Sequence, residues 1–441
     1  MKRLLSLLLC AVLALFCATT AQAAGVSITL TASEYALHYA FDAGAQDPFV
    51  ILEYATPAEK GWMMLYSADG HFEGDVSLAY SGAGGKTSVA LTSARTTGSI
   101  GKASTTLPKA ADYQKPTGKS NAKVTDFVLT ETPEGFHYAF NAIGTDYMLL
   151  YWRSKEQTVT QPVYPDENGH YEGDAVSELT FARTQFTVQV KSGSGSMKKE
   201  ATVRKGYQAP EAPQRQEGRL SGVTVCIDAG HQENGRFVNE PIGPGLSGST
   251  SGKGGMAQGT KTNRRESIVC LEIGMLLRDE LLRQGANVIM TREDQTTFHT
   301  NIERCEIAEA GGAQIMLRLH CNNSSNRSKR GIQVYGPLNS DYAKAVADAD
   351  TYREMGQKLL DAMKTRVGMT LANSTGMVRL NDNYVGNNWA KMMCFLVEMG
   401  YLSNPAEEYL LVTPVYQQWL AEGMADGVYE IAVARGWVQA Q

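Results

Sequence analysis

Short apolar runs alternate with longer amphipathic segments in the C-terminal half of the chain. Segments with an apolar residue at every third or fourth position predict helices, and the apolar runs between them predict strands. Alternation of this kind is typical of an α/β domain with a mostly parallel sheet flanked by helices on both faces. The predicted strands are 223–227, 286–292, 315–319, 332–335 and 393–397, and the predicted helices are 266–283, 301–310, 342–367 and 413–435.

The N-terminal half has a different pattern, in which short runs alternate between apolar and polar residues and turn residues separate the runs. Examples are 127–130, 136–140, 147–152 and 186–190. A period of two indicates strands with one buried face, and many such strands in a row are typical of a β-sandwich of the immunoglobulin type. This half is therefore predicted to be all-β.

Two motifs in the N-terminal half occur twice, each time 99 residues apart. The sequence LHYAFDA at 37–43 returns as FHYAFNA at 136–142, and DGHFEGD at 69–75 returns as NGHYEGD at 168–174. Two tandem copies of one β-sandwich-like unit explain both pairs. The copies carry four histidines that either form a metal or ligand site or, as we favour, are half-buried strand and turn residues copied by duplication: His38, His71, His137 and His170.

The start of the chain has the features of a secretory signal peptide at 1–23. Lys2 and Arg3 precede an apolar run, and Ala21-Gln22-Ala23 fits a cleavage site. The rival interpretation, an uncleaved membrane anchor, needs about 20 apolar residues, and this run is shorter. We therefore expect a secreted or cell-envelope protein. Its repeats are predicted at 24–117 and 122–210, followed by a Pro- and Gln-rich linker at 211–219 and a C-terminal domain at 220–441.

Composition narrows the class of protein further. The net charge is −5, which gives no sign of nucleic-acid binding, and no later segment is apolar enough to span a membrane. Five cysteines remain after the leader, and none belongs to a C-x-x-C motif. We expect buried thiols rather than disulfides at these positions: Cys226, Cys270, Cys305, Cys321 and Cys394.

Side chains that can bind metals or transfer protons stand at or near the ends of three predicted strands. They are His231, His320 and Glu398. Glu266 begins a predicted helix. The carboxyl ends of strands in an open α/β sheet form one shared crevice, so these four side chains are expected to converge. Two imidazoles and one carboxylate are a ligand set for catalytic zinc, and the spare glutamate could act as the base.

Each of these residues also has a purely structural interpretation. His231 follows a glycine and could be a turn residue, and His320 could be a buried core histidine. Glu266 could simply favour the positive end of the helix dipole. His299, in a polar loop, could replace one of the ligands. Two further polar residues could either orient a ligand or cap a strand end: Asp228 and Asn322.

Together with their order and spacing, the motifs of this half resemble those of the zinc-dependent N-acetylmuramoyl-L-alanine amidases of bacterial cell walls. The resemblance covers about residues 219–437 and rests on IDAGH at 227–231, RE at 265–266, TR at 291–292, ER at 303–304, LHCN at 319–322 and LVEMGYLSNP at 396–405.

The resemblance implies that His231, Glu266 and His320 hold one Zn²⁺ and that Glu398 is the catalytic glutamate. It implies peptidoglycan as the substrate and hydrolysis of the amide between N-acetylmuramic acid and L-alanine. The loop 232–265 is longer than in the common form of the family, and Cys321 stands where the family often has alanine. Strand alternation predicts that Cys321 faces away from the zinc. Arg379 is a candidate to meet carboxylates of the substrate.

Three functions of different classes follow from these observations. The first is a secreted zinc amidase whose β repeats are spacers or contact glycan or other envelope components. The second is a zinc peptidase that cuts another amide of the stem peptide. The third is a non-catalytic envelope-binding protein, although retention of all four site residues counts against an inert domain.

Overall fold

The computed structural model describes residues 19–21, 25–96, 98–113, 122–132, 135–145, 147–154, 157–176, 185–192, 195–204, 210–232, 238–250, 256–367 and 377–440. Most of the predicted signal peptide lies outside these ranges. So do residues around the domain boundaries predicted near 117 and 210, and all three therefore stay predictions. The chain divides into two compact units, Met1–Ser93 with Thr97–Lys205, and Gly206–Gln441 with Ala94–Thr96.

The first unit is all-β within its described residues, as the period-two pattern predicts. Its strands are β1 Thr19–Ala21, β2 Ile28–Ala32, β3 Ala36–Asp42, β4 Phe49–Ala55, β5 Glu59–Tyr66, β6 His71–Ser77, β7 Gly85–Ser93, β8 Ser99–Leu107, β9 Lys123–Thr132, β10 Gly135–Ile143, β11 Met148–Arg153, β12 Gln157–Val163, β13 His170–Val176, β14 Gln185–Lys191 and β15 Met197–Arg204.

These strands form three sheets rather than two separate sandwiches. Small sheets β1-β2-β3-β6 and β13-β10-β9 accompany one eight-stranded sheet in the order β15-β14-β11-β12-β5-β4-β7-β8. The long sheet runs across both predicted repeats, because β12 pairs with β5 through Val159 and Glu59. Two separate hydrophobic clusters, one drawn from 26–107 and one mainly from 122–203, lie between the small sheets and the long one.

The second unit contains both helices and strands. Its strands are β16 Thr224–Ala229, β17 Asn287–Met290, β18 Ile315–Asn322, β19 Gln333–Gly336, β20 Met377–Leu380 and β21 Met393–Tyr401. Its helices are α1 Glu266–Arg283, α2 Asn301–Ala310, α3 Asp341–Val346, α4 Ala349–Val367, α5 Val385–Trp389, α6 Glu407–Leu411 and α7 Pro414–Ala434.

The six strands of this unit form one mixed sheet in the order β17-β16-β18-β21-β19-β20. The pairings among β17, β16, β18 and β21 are parallel, and β19 pairs antiparallel with β21 but parallel with β20. The carboxyl ends of β16, β18 and β21 therefore lie at one edge of the sheet, which is where ligands bind in open α/β folds.

Opposite faces of this sheet carry different residues. On one face, Gly274 of α1 lies against Ile227 and Leu319, and Gly356 of α4 lies against Val378 and Phe395. On the other face, α2 contributes to a cluster of small and sulfur-containing side chains. Because neighbours along a strand alternate between faces, Asp228, Arg318, His320 and Glu398 belong to the α2 side.

The predicted linker 211–219 lies against the end of α1. Gln216 N donates to Leu282 O at 3.0 Å, and Arg215 Nη1 donates to Gly285 O at 3.0 Å. The five cysteines are all buried and free, as expected for buried thiols. Within the described part of the chain, no helix combines the length and apolar character needed to cross a membrane.

A candidate metal centre at the carboxyl edge of the mixed sheet

His231 lies two residues after the end of β16, in a backbone conformation that non-glycine residues seldom adopt, with φ of 56°. Several hydrogen bonds hold this turn. Gly230 N donates to Leu319 O at 2.9 Å, which ties the turn to β18. Arg292 is buried, and its guanidinium donates to Ala229 O and Gly230 O at 2.7 and 2.8 Å. These contacts fix the direction in which the His231 imidazole leaves the sheet.

Glu266 is the first residue of α1, and it is almost fully buried. Its two carboxylate oxygens accept hydrogen bonds from the backbone on both sides, Oε2 from Ala257 N at 2.7 Å and Oε1 from Cys321 N at 3.0 Å. The position at the helix start also favours a negative charge. The carboxylate is therefore held between the loop before α1 and the end of β18.

The side chains of His231, Glu266 and His320 meet in space. Glu266 Oε1 lies 3.1 Å from His231 Nε2 and 2.9 Å from His320 Nδ1, and the three donor atoms all lie within 4.8 Å of one another. Ligands placed about 2.0–2.1 Å from a tetrahedral zinc ion lie about 3.3 Å apart, so this arrangement fits such an ion. Among the described residues, this is the only His, Cys, Asp or Glu group with metal-site spacing.

The protonation states of these groups suit a cation. Burial lowers the pKa of His320, which favours the neutral imidazole that metals require. Burial alone would raise the pKa of Glu266, but its hydrogen bonds to His231 and His320 outweigh burial and hold this pKa well below its usual range. The centre therefore combines an ionised carboxylate with a neutral imidazole.

Glu398 lies on β21, directly opposite His320 of β18 in the strand register. Its Oε2 atom is buried and has no hydrogen-bond partner among the described residues. Burial, followed by the negative charge of Glu266, raises the pKa of Glu398 well above its ordinary value. A buried carboxyl oxygen without a partner is costly, and such perturbed groups beside a cluster of potential metal ligands are characteristic of functional sites. Both β18 and β21 continue beyond these residues, so His320 and Glu398 lie inside strands, not at their ends as expected.

The remaining candidate residues occupy different positions. Asp228 is fully buried and binds Arg304, Arg318 and Thr291. Asn322 ends β18 and donates to Gln333 Oε1 at 3.1 Å. The sequence left open whether these two residues orient a ligand or cap strands. The contacts of Asp228 extend through Arg304, whose Nη2 donates to His231 O at 3.2 Å, whereas Asn322 contacts Gln333 of β19.

Two other candidates lie outside the cluster of His231, Glu266 and His320. Arg379 is exposed on the edge strand β20. His299 precedes α2 and is not part of the cluster, so the alternative in which His299 replaces a ligand has no geometric support. Cys321 is buried next to Cys270 of α1, on the α1 side of the sheet and away from the imidazole of His320, as strand alternation predicts.

Gly230 is a site residue whose role the sequence did not reveal. A Cβ atom at this position would lie 2.4 Å from Leu319 O and 2.6 Å from Cε1 and Nε2 of His320. Contacts that short do not occur, so only glycine lets the turn approach the back of the His320 ring. The Gly-His pair in the motif was a signal, but the role of the glycine depends on a neighbouring strand.

We expect Gly230→Ala to displace His320 and to weaken zinc binding by about 10- to 100-fold, the loss typical when the support of a metal ligand is disturbed. Competition for zinc against a chromophoric chelator measures this affinity. Gly274→Ala is the matched control, because a Cβ there meets its neighbours at an ordinary 3.5–3.6 Å. Equal zinc affinity in the two variants would contradict the role of Gly230.

The four histidines of the N-terminal unit lie on exposed faces of the small sheets, each next to an oxygen atom of an acidic or amide side chain. His38 and His137 contact Asp75 and Asp174 through Nδ1 at 3.0 and 2.9 Å. His71 Nδ1 contacts Asp42 at 2.7 Å, and His170 Nδ1 contacts Asn141 at 2.8 Å. Corresponding histidines of the two copies thus make corresponding cross-strand pairs, which agrees with the structural interpretation.

The hydrogen bond that His71 donates to the Asp42 carboxylate, followed by the negative charge of Asp42, raises the pKa of His71 above its ordinary value of 6.5. We expect Asp42→Asn to lower this pKa, because the variant keeps a hydrogen-bond acceptor but removes the negative charge. Titration of the ring protons by NMR measures the change. An unchanged titration midpoint in Asp42→Asn would show that the pair does not form in solution.

The fold and the cluster together define an α/β domain with a candidate metal centre at the carboxyl edge of a mixed sheet. Residues 225–430 match the family model described as N-acetylmuramoyl-L-alanine amidase. This part of the chain is therefore a domain of the N-acetylmuramoyl-L-alanine amidase family.

Similar proteins match about half of this chain. The germination-specific N-acetylmuramoyl-L-alanine amidase of Bacillus subtilis is 26% identical over 231 residues, which are 49% of this chain and 83% of that protein. The probable cell wall amidase LytH of Staphylococcus aureus is 27% identical over 218 residues, and the match spans only 60% of its length. An N-acetylmuramoyl-L-alanine amidase structure from Clostridium difficile is 24% identical, over 48% of this chain and 96% of that one, with a TM-score of 0.38.

Proposed function

We propose that this protein is a secreted, zinc-dependent N-acetylmuramoyl-L-alanine amidase of the bacterial cell envelope. It hydrolyses the amide between the lactyl group of N-acetylmuramic acid and L-alanine in peptidoglycan. The observation that carries the proposal is the meeting of His231, Glu266 and His320 within 4.8 Å, with Glu398 opposite His320 on the next strand. The family of residues 225–430 supports the choice of bond.

The residues that would hold the zinc ion are His231, Glu266 and His320. Two imidazoles and a carboxylate leave a coordination position open, as in catalytic rather than structural zinc sites. When bound, zinc supplies a Lewis acid that polarises the scissile carbonyl and makes water easier to deprotonate.

The protein's own contribution is to orient the reactants and to move one proton. Glu398 accepts a proton from the attacking water as the water oxygen bonds to the lactyl carbonyl carbon. It then delivers that proton to the nitrogen of L-alanine as the carbon–nitrogen bond breaks, which leaves a lactyl carboxyl group and a free amine. Oε2 of Glu398 is available for this transfer because no group in the described part of the chain forms a hydrogen bond with it. Burial of Glu266 and the backbone hydrogen bonds to it hold the ligand set rigid through the reaction.

Digestion of purified peptidoglycan, with products identified by mass, tests the proposal. We expect free stem peptides that begin with L-alanine, a complete loss of products after treatment with a chelator, and recovery when zinc is returned. Cleavage at another amide of the stem peptide would support the zinc peptidase instead. Intact peptidoglycan in the presence of stoichiometric zinc would support the non-catalytic envelope protein.

A further inference from the structure

The metal centre has a cationic neighbour on the same face of the mixed sheet. Val378 of β20 lies against Gly356 of α4, so the next side chain, that of Arg379, belongs to the opposite face. In the strand register, Arg379 is opposite Tyr335 of β19, and Tyr335 is opposite Leu396 of β21. Glu398 lies two residues from Leu396 and therefore shares this face with Arg379.

The register also gives the separation between Arg379 and the reacting groups. Two strand spacings of about 4.8 Å and two residues of about 3.3 Å each place the Cα atoms of Arg379 and Glu398 about 12 Å apart. Consecutive residues of a peptide are about 3.8 Å apart. A long arginine side chain at this distance can therefore reach the substrate residue next to the scissile amide.

Tyr335 lies between the two charged residues. It is buried, its hydroxyl group donates to Gln333 Oε1 at 2.6 Å, and its ring contacts that of Tyr384 with the centroids 5.1 Å apart. Burial raises the pKa of Tyr335, the charge of Glu398 raises it further, and the charge of Arg379 acts in the opposite direction. The charges of Glu398 and Arg379 thus both act on the pKa of the same hydroxyl group, which agrees with their placement on one face of the sheet.

The chemistry of the proposed substrate provides an anion at this place. The residue after L-alanine in the stem peptide is a D-glutamate joined through its side-chain carboxyl group, so its α-carboxylate is free. The muramyl sugar on the other side of the scissile amide carries no charge of its own once its lactyl group is in amide linkage. A guanidinium group binds carboxylates through two parallel hydrogen bonds.

From this geometry we propose that Arg379 binds the free α-carboxylate of the second stem-peptide residue and makes the enzyme selective for that carboxylate over its carboxamide. This inference rests on the proposed amidase function. Binding of the carboxylate by Arg379 would orient the substrate. The stem peptide would run from Glu398 toward the edge strand β20, and the glycan would lie on the other side of the metal centre.

Two synthetic substrates that differ in one group test the inference: N-acetylmuramoyl-L-alanyl-D-isoglutamate and its D-isoglutamine counterpart. We expect kcat/KM of the zinc-loaded full chain to be about 10- to 100-fold higher for the carboxylate, the range for one charge-assisted hydrogen bond. Arg379→Met should remove this preference through a higher KM for the carboxylate substrate alone, and Arg379→Lys should keep part of it. Arg353→Met is the control that makes the same change in charge elsewhere, because Arg353 is an exposed arginine of α4 paired with Asp350.

The outcomes separate failure of this inference from failure of the proposed function. Equal rates on both substrates in wild type, or a preference that survives in Arg379→Met, would overturn the role of Arg379 while leaving the amidase intact. Cleavage of neither substrate at the muramyl amide by wild type, together with none in peptidoglycan, would reject the function itself. A loss of activity on both substrates in Arg379→Met, with zinc retained, would assign Arg379 a structural role and also overturn the inference.

Discussion

Replacement of Glu398 by glutamine is expected to reduce kcat by about 10²- to 10⁴-fold, the contribution of a positioned general base. Glutamine has nearly the same shape but cannot accept the proton of the attacking water. Zinc content should not change, because Glu398 is not one of the three clustered residues. The rate of release of L-alanine-headed peptides and the bound zinc, both measured on the same purified sample, check this result.

Glu309→Gln provides the control for Glu398→Gln, because Glu309 is an exposed carboxylate of α2 paired with Lys391. It makes the same change in charge outside the cleft, and its kcat should equal that of wild type. Stoichiometric zinc with more than about a tenth of the wild-type kcat in Glu398→Gln would rule out Glu398 as the base. Loss of zinc in that variant would instead make Glu398 a ligand.

Removal of the buried carboxylate by Asp228→Ala is expected to destabilise the α/β domain by about 3–5 kcal/mol, the usual cost of leaving a buried partner charge without its counterion. Asp228 contacts Arg304 Nη1 at 2.5 Å and Arg318 Nε at 2.9 Å, and all three residues are buried. The variant would leave two buried guanidinium groups without this carboxylate. Hydrogen exchange of peptides from β16 and α2, followed by mass spectrometry, measures the local free energy of unfolding.

Asp350→Asn is the matched control for Asp228→Ala, because Asp350 and Arg353 form an exposed Asp–Arg pair on α4. An exposed pair contributes less than about 1 kcal/mol, so exchange in this variant should stay close to that of wild type. Similar exchange in Asp228→Ala and Asp350→Asn would show that the buried network contributes little to stability.

The network around Asp228 also predicts how the stability of the domain depends on pH. Burial alone would raise the pKa of Asp228, but the charges of Arg304 and Arg318 outweigh burial and hold this pKa far below its ordinary value of 3.8. A carboxyl group with a lowered pKa in the folded state stabilises the protein above its unfolded pKa and loses this contribution as the pH falls. Wild type should therefore lose local stability below about pH 4, and Asp228→Asn should lose less over the same range.

The same network shows where sequence patterns stop being informative. Asp228 follows an apolar run, and the sequence allowed it either to orient a ligand or to cap the strand. Its partners Arg304 and Arg318 are 76 and 90 residues away along the chain. The pairing with Arg318 depends on the register between β16 and β18, and the pairing with Arg304 depends on how α2 packs against the sheet. No local pattern encodes either.

Elements with strong periodicity could be predicted well. The predicted helices 266–283 and 301–310 have the bounds of α1 and α2, because the helical period of apolar residues is a local signal. In the structure, a capping box at Thr300 and Glu303 also fixes the start of α2. Strands β18 and β21 extend past their predicted ends through His320 and Glu398. Each predicted strand stops before a polar residue, because the apolar run stops there. In the structure, hydrogen bonds to neighbouring strands extend both strands beyond that residue.

The sequence by itself determined the all-β and α/β halves, the repeated motifs and the four candidate residues of the metal centre, because residue type and short-range period carry that information. Only the tertiary structure decided that one eight-stranded sheet runs through both predicted repeats, that β19 is antiparallel to β21, that Gly230 must lack a side chain, and that Arg379 shares a face with Glu398. Each of these depends on contacts between segments far apart in the chain, where strand register and close packing, rather than local preference, set the free energy.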